Sequence, residues 1–213
     1  MIPLVAAVAL ASGAAAPGAA LPSGTYSYEI YSDGKPVAKS TIVIHNANGS
    51  LQITEATILQ GDPVASTRTI DPATFATLKY TITVQGTEDT IDIPSNAATW
   101  RRASGDKTVS QAVAGPSMVF DFFAGPYAAL PAMLHATTAK AFNVYCICFT
   151  GFDVKPAPIV PATAAPPAGV PKTDVSAAFE FDDAVVTLWY DPVTFVLHAM
   201  DAPKAQFRIV LLP

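Results

Sequence analysis

The sequence predicts a mainly β protein, built as a curved antiparallel sheet, half-barrel or barrel-like, with a short helical insert. Two observations indicate this fold. Apolar and polar residues alternate along many short runs, and turn residues such as Gly61-Asp62-Pro63 separate those runs at even spacing. Strands that follow one another without intervening helices favour an antiparallel sheet that curls on itself.

The first predicted strand shows the alternation clearly. Tyr26, Tyr28 and Ile30 alternate with Ser27 and Glu29, and the letters SDGK then predict a turn. A second alternating strand follows before the letters NANG. Further strands are predicted at 51–59, 64–70, 75–84, 87–93, 97–103 and 107–113.

The segment 117–138 interrupts this rhythm because it is rich in Ala, Leu and Met, which favour helix. Tyr127, Leu130 and Leu134 fall at helical spacing, whereas Pro131 would kink or split a helix. We therefore expect one or two short helices whose apolar faces are buried inside the curved sheet.

A proline-rich loop is predicted at 155–173, after a strand at 141–150, because proline cannot donate to a β-ladder. Four more strands are predicted after it, at about 174–181, 185–190, 193–200 and 206–212. Four strands are few for an independent core, so residues 23–213 are interpreted as a single β domain with a long insertion.

Composition excludes two classes of protein. Charged residues make up 14% of the chain and hydrophobic residues 51%, and the net charge is −5. This balance argues against a charged coiled coil and against a nucleic-acid partner.

The N-terminal residues 1–22 are interpreted as a signal peptide, with a disordered Ala-rich arm as the alternative. An apolar run too short to span a bilayer is followed by small residues around Ala14 to Ala20. No Lys or Arg precedes the run, which departs from the usual pattern. We expect removal of about the first 16 to 23 residues and a periplasmic or secreted protein without a transmembrane span.

The stretch LWYDPVTFVLHAM raises the question whether Asp191 is a catalytic acid or a turn residue. Apolar residues alternate on both sides of Asp191-Pro192, which is typical of a hairpin. Asp accepts backbone N–H groups at the start of turns and Pro supplies the next backbone angle. The turn interpretation is therefore preferred.

Cys146 and Cys148 leave two interpretations open, reduced core thiols or a disulfide. A disulfide needs Cβ atoms about 3.5–4.5 Å apart, whereas residues two apart in an extended strand are separated by roughly 6.6 Å. This comparison favours reduced thiols. A metal site is weakly supported, because C-x-C lacks the second ligand pair of a zinc site and the three histidines lie on different elements. No cofactor is expected, and no G-x-S-x-G motif is present.

Candidate ligand-binding residues are aromatic side chains of the predicted strands together with one cation. Trp100, followed by Arg101 and Arg102, can hold an anionic headgroup, although a solvated strand end explains the same pattern. The complete candidate set is Tyr26, Tyr28, Trp100, Arg102, Phe142 and Trp189.

Two stretches carry a resemblance, GTYSYEIYSDGKPVAKSTIVI near the start and VVTLWYDPVTFVLHAMDAP near the end. Together they resemble exported bacterial β-proteins of domain-of-unknown-function families. The order of elements is loosely similar to the lipoprotein-carrier half-barrel. The resemblance implies a curved antiparallel sheet with an apolar groove and carries no catalytic residue.

The expected function is a non-enzymatic exported envelope protein that binds an apolar or lipid-like small molecule. One alternative is a hydrolase that uses carboxylates such as Asp121 and Asp191. Another is a structural module that binds a second envelope protein through a sheet edge. The pattern does not determine the oligomeric state.

Overall fold

The computed structural model describes residues 21–47, 50–59, 61–121, 123–148 and 151–213. These residues form fifteen strands, one α-helix and one short 3-10 turn. The first eight strands are β1 (Gly24–Ser32), β2 (Lys35–Ala47), β3 (Ser50–Leu59), β4 (Asp62–Ile70), β5 (Thr77–Val84), β6 (Thr87–Asp92), β7 (Ala97–Arg101) and β8 (Lys107–Ser110). The remaining elements are β9 (Ser117–Phe120), α1 (Gly125–Ala136), β10 (Ala141–Cys148), β11 (Gly151–Val160), β12 (Val175–Phe181), β13 (Ala184–Tyr190), β14 (Leu197–Ala202), the 3-10 turn Pro203–Ala205 and β15 (Phe207–Leu211).

All strands of the described residues belong to one curved, unclosed sheet. From β8 to β1 the strands lie side by side in reverse chain order, then β1 pairs with β15, and the order continues down to β9. Neighbouring strands are antiparallel except β9 and β10, which are parallel. The sheet bends far enough for β9 to lie against β5 and for β11 to lie against β8. The predicted fold class is therefore confirmed.

The helix α1 connects the parallel strands β9 and β10, so the three elements form a β-α-β unit. Part of the segment predicted to be helical is a strand, because Ser117–Phe120 pairs with β10 and all of its side chains are buried. The helix begins at Gly125, where Pro126 is tolerated because the first turn needs no amide donor. Pro131 lies inside the helix, which continues to Ala136.

Two apolar cores lie between the curved layers. The main core fills the concave side of the sheet and includes most of α1, for example Tyr127, Leu130 and Met133. A second, smaller core lies where the two ends of the sheet meet. It joins Tyr80, Ile91, Ile93, Ala98 and Trp100 to Val119, Tyr145 and Phe152. The helix therefore occupies the place that the sequence predicted, inside the sheet.

The proline-rich loop is shorter than predicted, because residues 155–160 belong to strand β11. The amide of Ile159 donates to the carbonyl of Lys140, the residue before β10. Because successive residues of a strand direct their backbone nitrogens to opposite sides, the nitrogens of Pro156 and Pro158 face away from β10. On that other side β11 pairs with β12 only at Ile159 and Val160. The two prolines therefore cost no ladder hydrogen bond, which is the condition under which strands accept proline.

The predicted signal peptide at 1–22 lies outside the described residues except for its last two positions. Leu21 is 1% exposed and belongs to the main core. Its carbonyl accepts a hydrogen bond of 2.9 Å from the side-chain amide of Asn46. In the described part of the chain, no helix combines the length and the apolar character that a membrane span requires.

Cys146 is disulfide-bonded, so the interpretation of reduced core thiols is wrong. The interpretation as reduced thiols relied on the roughly 6.6 Å separation of alternate residues in a fully extended strand. Cys146 and Cys148 lie at the end of β10, next to its connection to β11.

Candidate functional site

A cluster of buried ionisable side chains, which we call the ionic cluster, lies beside the start of α1. It consists of Glu55 on β3, Arg68 on β4, Tyr80 on β5 and Asp121 directly after β9. Sequence reasoning named Asp121 as a candidate carboxylate but did not find the other three members. The cluster connects three neighbouring strands of the first half of the sheet to the segment that leads into the helix.

Asp121 accepts hydrogen bonds through both of its carboxylate oxygens. Its Oδ2 accepts from the Arg68 guanidinium and from the Tyr80 hydroxyl, the latter at 2.7 Å. Its Oδ1 accepts the backbone N–H of Phe123 at 3.0 Å. The Arg68 guanidinium also lies over the Tyr80 ring, 4.6 Å from its centre. These contacts hold Asp121 in one orientation.

Glu55 binds the first amides of the helical segment. Its Oε1 accepts the N–H of Ala124 at 2.9 Å and its Oε2 accepts the N–H of Gly125 at 3.1 Å. Arg68 forms a buried ion pair with Oε2 at 3.4 Å. A carboxylate at this position satisfies amides that lack partners within the helix and complements the helix dipole.

Burial governs the ionisation of the cluster. Loss of solvation raises the pKa of Glu55, and the charge of Asp121 raises it further, against the opposing effect of Arg68. Burial would lower the pKa of Arg68, but Asp121, Tyr80 and Glu55 together raise it. Arg68 therefore stays charged, and its Nε has no hydrogen-bond partner among the described residues.

Gly125 shows how tightly the helix is set against this cluster. A Cβ at Gly125 would overlap the guanidinium of Arg68 and the carboxylate of Glu55. The side chains of Arg68 and Glu55 are 0% and 1% exposed. A substrate therefore has no access to Glu55 or Arg68, and the arrangement serves to position α1 and Asp121.

A cavity of about 330 Å³ lies at one end of the main core, beside Asp121. Its aromatic walls are Phe120, Tyr127, Phe181 and Phe207, and its aliphatic walls are Ala184, Val186, Ala202 and Ala205. The polar or sulfur-containing residues that line it are Ser32, Asp121, Asp182 and Cys146. Pockets that bind small molecules have this character, mostly apolar with a few placed polar groups.

Asp121 thus belongs both to the ionic cluster and to the cavity wall. A second cavity, of about 420 Å³, is lined by small, hydroxyl-bearing and aliphatic residues such as Thr77, Ser95 and Thr137, and the described residues contribute no aromatic or charged side chain to it. The smaller cavity combines an apolar interior with a fixed ionisable group, and it is therefore the better candidate site.

Three of the sequence-predicted ligand-binding residues lie in or near the main core. Tyr28 is buried, and its hydroxyl donates to the carbonyl of Leu197 at 3.0 Å. Phe142 is buried between Phe120 and Phe179, with ring centres 6.3 and 5.2 Å away. Tyr26 is half-buried at the core edge. None of the three lines the cavity described above.

The other three predicted residues lie elsewhere. Trp100 belongs to the second core, and the Arg102 guanidinium lies 4.5 Å from the centre of its ring. The structure therefore brings this pair together, away from the cavity. Trp189 is buried in β13, adjacent in sequence to the inward-facing Leu188. A ligand-binding role for these six residues stays a prediction.

The turn interpretation of Asp191 is confirmed by its contacts. Its Oδ1 accepts the backbone N–H groups of Val193 and Thr194, both at 2.8 Å. These hydrogen bonds lower the pKa of Asp191 below its ordinary value. An exposed carboxylate with a lowered pKa is poorly suited to act as a general acid at neutral pH.

Metal binding finds no support in the described part of the chain, where no group of three or more His, Cys, Asp or Glu side chains is placed to hold an ion. The three histidines lie on different elements, His45 on β2, His135 on α1 and His198 on β14. His198 Nδ1 lies 2.7 Å from a carboxylate oxygen of Asp174, but two side chains are fewer than the three that such a group requires.

No protein-family model, curated protein or solved structure matches this chain.

Proposed function

We propose that this protein is a non-enzymatic exported envelope protein that binds an apolar or lipid-like small molecule in the cavity beside Asp121. The observation that carries the proposal is the cavity itself, about 330 Å³ of space between aromatic walls inside the curved sheet. At roughly 30 Å³ for each water molecule, such a space holds about eleven waters. A ligand with about ten non-hydrogen atoms would fill it.

Burial of the ligand's apolar surface supplies the driving force. Phe120, Phe181 and Phe207 present rings to the cavity, and apolar surface removed from water contributes about 25 cal/mol per Å². The side chains behind these rings are already packed in the main core, where the ring centres of Phe120 and Phe179 lie 5.8 Å apart. The walls are therefore preformed, which lowers the cost of ordering them on binding.

Export is supported by two features. The N-terminal letters have the apolar run and small residues of a signal peptide. Cys146 is disulfide-bonded, and such bonds persist in oxidising compartments outside the cytoplasm.

The hydrolase alternative is less well supported, because its two carboxylates are engaged in different places. Asp121 binds Arg68 and Tyr80, whereas Asp191 binds the amides of its own turn. The two residues share no hydrogen-bond partner among the described residues.

Native mass spectrometry of the protein purified gently from its host tests the proposal. We expect a co-purified small apolar molecule, released when the protein is denatured. A protein that carries no such molecule and also fails to bind an apolar fluorescent probe would contradict a ligand-binding function. A co-purified protein partner in place of a small molecule would favour the structural-module alternative.

A further inference from the structure

We infer that the ligand of this cavity carries a neutral or cationic polar end that donates a hydrogen bond, such as an alcohol or an amine, and that fatty-acid-like anions are excluded. The inference rests on the proposed ligand-binding function and adds the chemical class of the ligand. It follows from the ionisable groups at the cavity and from the hydrogen bonds that they already make.

Asp121 offers an acceptor to the cavity. Its Oδ2 accepts from the Arg68 guanidinium and the Tyr80 hydroxyl, whereas its Oδ1 accepts one N–H from the described residues, that of Phe123. A carboxylate oxygen has two lone pairs, so Oδ1 retains room for one more donor. A ligand hydroxyl or ammonium group can fill that place.

The cavity offers an anion no cationic partner. The carboxyl groups that line it are Asp121 and Asp182, and its lining includes no Lys or Arg from the part of the chain that the structure describes. The two lining carboxylates are themselves paired with cations, Asp121 with Arg68 and Asp182 with Lys155. A ligand carboxylate would have to lose its hydration beside like charges, which is unfavourable in an apolar space.

The hydroxyl of Tyr127, which also lines the cavity, does not make the cavity favourable for an anion. Burial, and then the charge of Asp121, raises the pKa of its hydroxyl, which therefore stays neutral. A single neutral hydroxyl can donate one hydrogen bond to an anion, but it supplies no compensating charge.

Three probes of equal chain length test the inference on the unmodified protein. Octanol, octylamine and octanoate are each titrated against a bound apolar fluorescent probe at neutral pH. We expect octanol and octylamine to displace the fluorescent probe and octanoate to bind at least about tenfold more weakly, because only octanoate brings an unpaired negative charge into the cavity.

Variants at the cavity rim supply a matched comparison. Asp182 lines the cavity, whereas its neighbour Asp183 does not, and both have left-handed backbones, with φ of 48° and 58°. Asn tolerates that conformation, so Asp182→Asn and Asp183→Asn should both fold. We expect Asp182→Asn to improve octanoate binding about twofold to threefold, the size of effect typical of one screened surface charge, and Asp183→Asn to change it less.

The outcomes separate the inference from the function on which it rests. Octanoate binding as tightly as octanol would overturn the inference and leave the ligand-binding function standing. Failure of octanol and octylamine to displace a bound fluorescent probe would also overturn the inference, whereas failure of the fluorescent probe itself to bind would count against the ligand-binding function. Equal effects of the two Asn variants would show that Asp182 does not act on the cavity and would contradict the assignment of its charge to the site.

Discussion

Phe75 and Phe195 occupy equivalent positions in two copies of one turn. Each ends a D-P-x-T-F segment, and each has a left-handed backbone, with φ of 56° and 58°. The amide of each donates to the carbonyl of the aspartate that begins its turn, at 2.8 Å in the first copy and 2.9 Å in the second. Both phenylalanines are buried in the main core.

The aspartates of the two copies also correspond. Asp71 accepts the amides of Ala73 and Thr74 at 2.7 and 3.0 Å, as Asp191 does with Val193 and Thr194. One turn joins β4 to β5 and the other joins β13 to β14. The same sequence pattern therefore forms the same turn in each half of the sheet, and this assigns Asp191 a structural role.

We expect Asp191→Asn and Asp71→Asn to lower the Tm only slightly, because the amide oxygen can accept the same two N–H groups, although without the charge of a carboxylate. Asp191→Ala and Asp71→Ala should each lower the Tm, because two amides lose their acceptor. Thermal unfolding of the four variants checks this. Equal losses for the Asn and Ala variants would contradict the capping role.

A pH dependence follows from the lowered pKa of Asp191. Its hydrogen bonds favour the ionised form, so its contribution to stability is present above the ordinary value of 3.8 and is lost as the pH falls through the lower folded value. Asp191→Asn should lack this acid-dependent component, which denaturant unfolding between neutral and acid pH would measure.

Arg68 provides the strongest test of the ionic cluster. Arg68→Met leaves two buried carboxylates without their cation and should cost about 3–5 kcal/mol of unfolding free energy. Arg101 is a matched control, because it also pairs with two carboxylates, Asp92 at 3.1 Å and Asp106 at 2.8 Å, but it is exposed. Arg101→Met should change stability little. Similar losses for both variants would contradict a special role for the buried cluster.

Glu55 should make stability fall as the pH rises. Because burial raises its folded pKa above the ordinary 4.5, the folded state binds more protons than the unfolded state between the two values. Its contribution is therefore fully present below about pH 4.5 and is lost as the pH rises through the folded value. Glu55→Gln removes this component.

The measurement is denaturant unfolding of the two proteins from pH 4.5 upward, starting at the ordinary pKa of Glu55. The advantage of the unmodified protein over Glu55→Gln should shrink as the pH rises. An advantage that grows with pH would mean that Arg68 and the amides of Ala124 and Gly125 lower the folded pKa of Glu55 more than burial raises it.

Leu21 limits where a leader peptide can be removed. Its side chain is buried in the main core, so a chain that begins at Ser23 should be less stable than one that begins at Leu21, by about 1.5–3 kcal/mol. If export occurs, the mature N-terminus should lie at or before Leu21. N-terminal sequencing of the protein from its host would contradict this if it began at Pro22 or later.

Much of the fold was predictable because a half-buried strand shows its two faces in the sequence. In β3, Leu51, Ile53 and Thr57 are buried and alternate with exposed residues, as their spacing predicts. Glu55 occupies the same inward register, and this signal, a charge at a buried position, could have revealed the ionic cluster. Arg68 carries the same signal, because it shares the inward register of the neighbouring strand β4 with Val64 and Ile70. Asp121 could not be identified in this way, because it follows β9, which is distant in the chain.

The cavity was less predictable than the sheet. Its walls come from β9, α1 and the strand ends of the second half, which sequence alternation does not bring together. The predicted ligand-binding residues Tyr28 and Phe142 are buried in the main core, but they do not line the cavity. Alternation predicts which face a side chain occupies and does not predict where packing leaves a gap.

Binding of an apolar fluorescent probe to two variants of β13 tests the central claim most directly. Val186 lines the cavity, whereas Val185, its neighbour, is 45% exposed. We predict that Val186→Phe fills the cavity and weakens probe binding about tenfold or more, and that Val185→Phe binds like the unmodified protein. Circular dichroism establishes that both variants are folded, and Ala205→Trp, at an exposed position on the cavity rim, serves as a second blocking variant. Unchanged probe binding by folded Val186→Phe and Ala205→Trp would contradict the claim that this cavity is the ligand site.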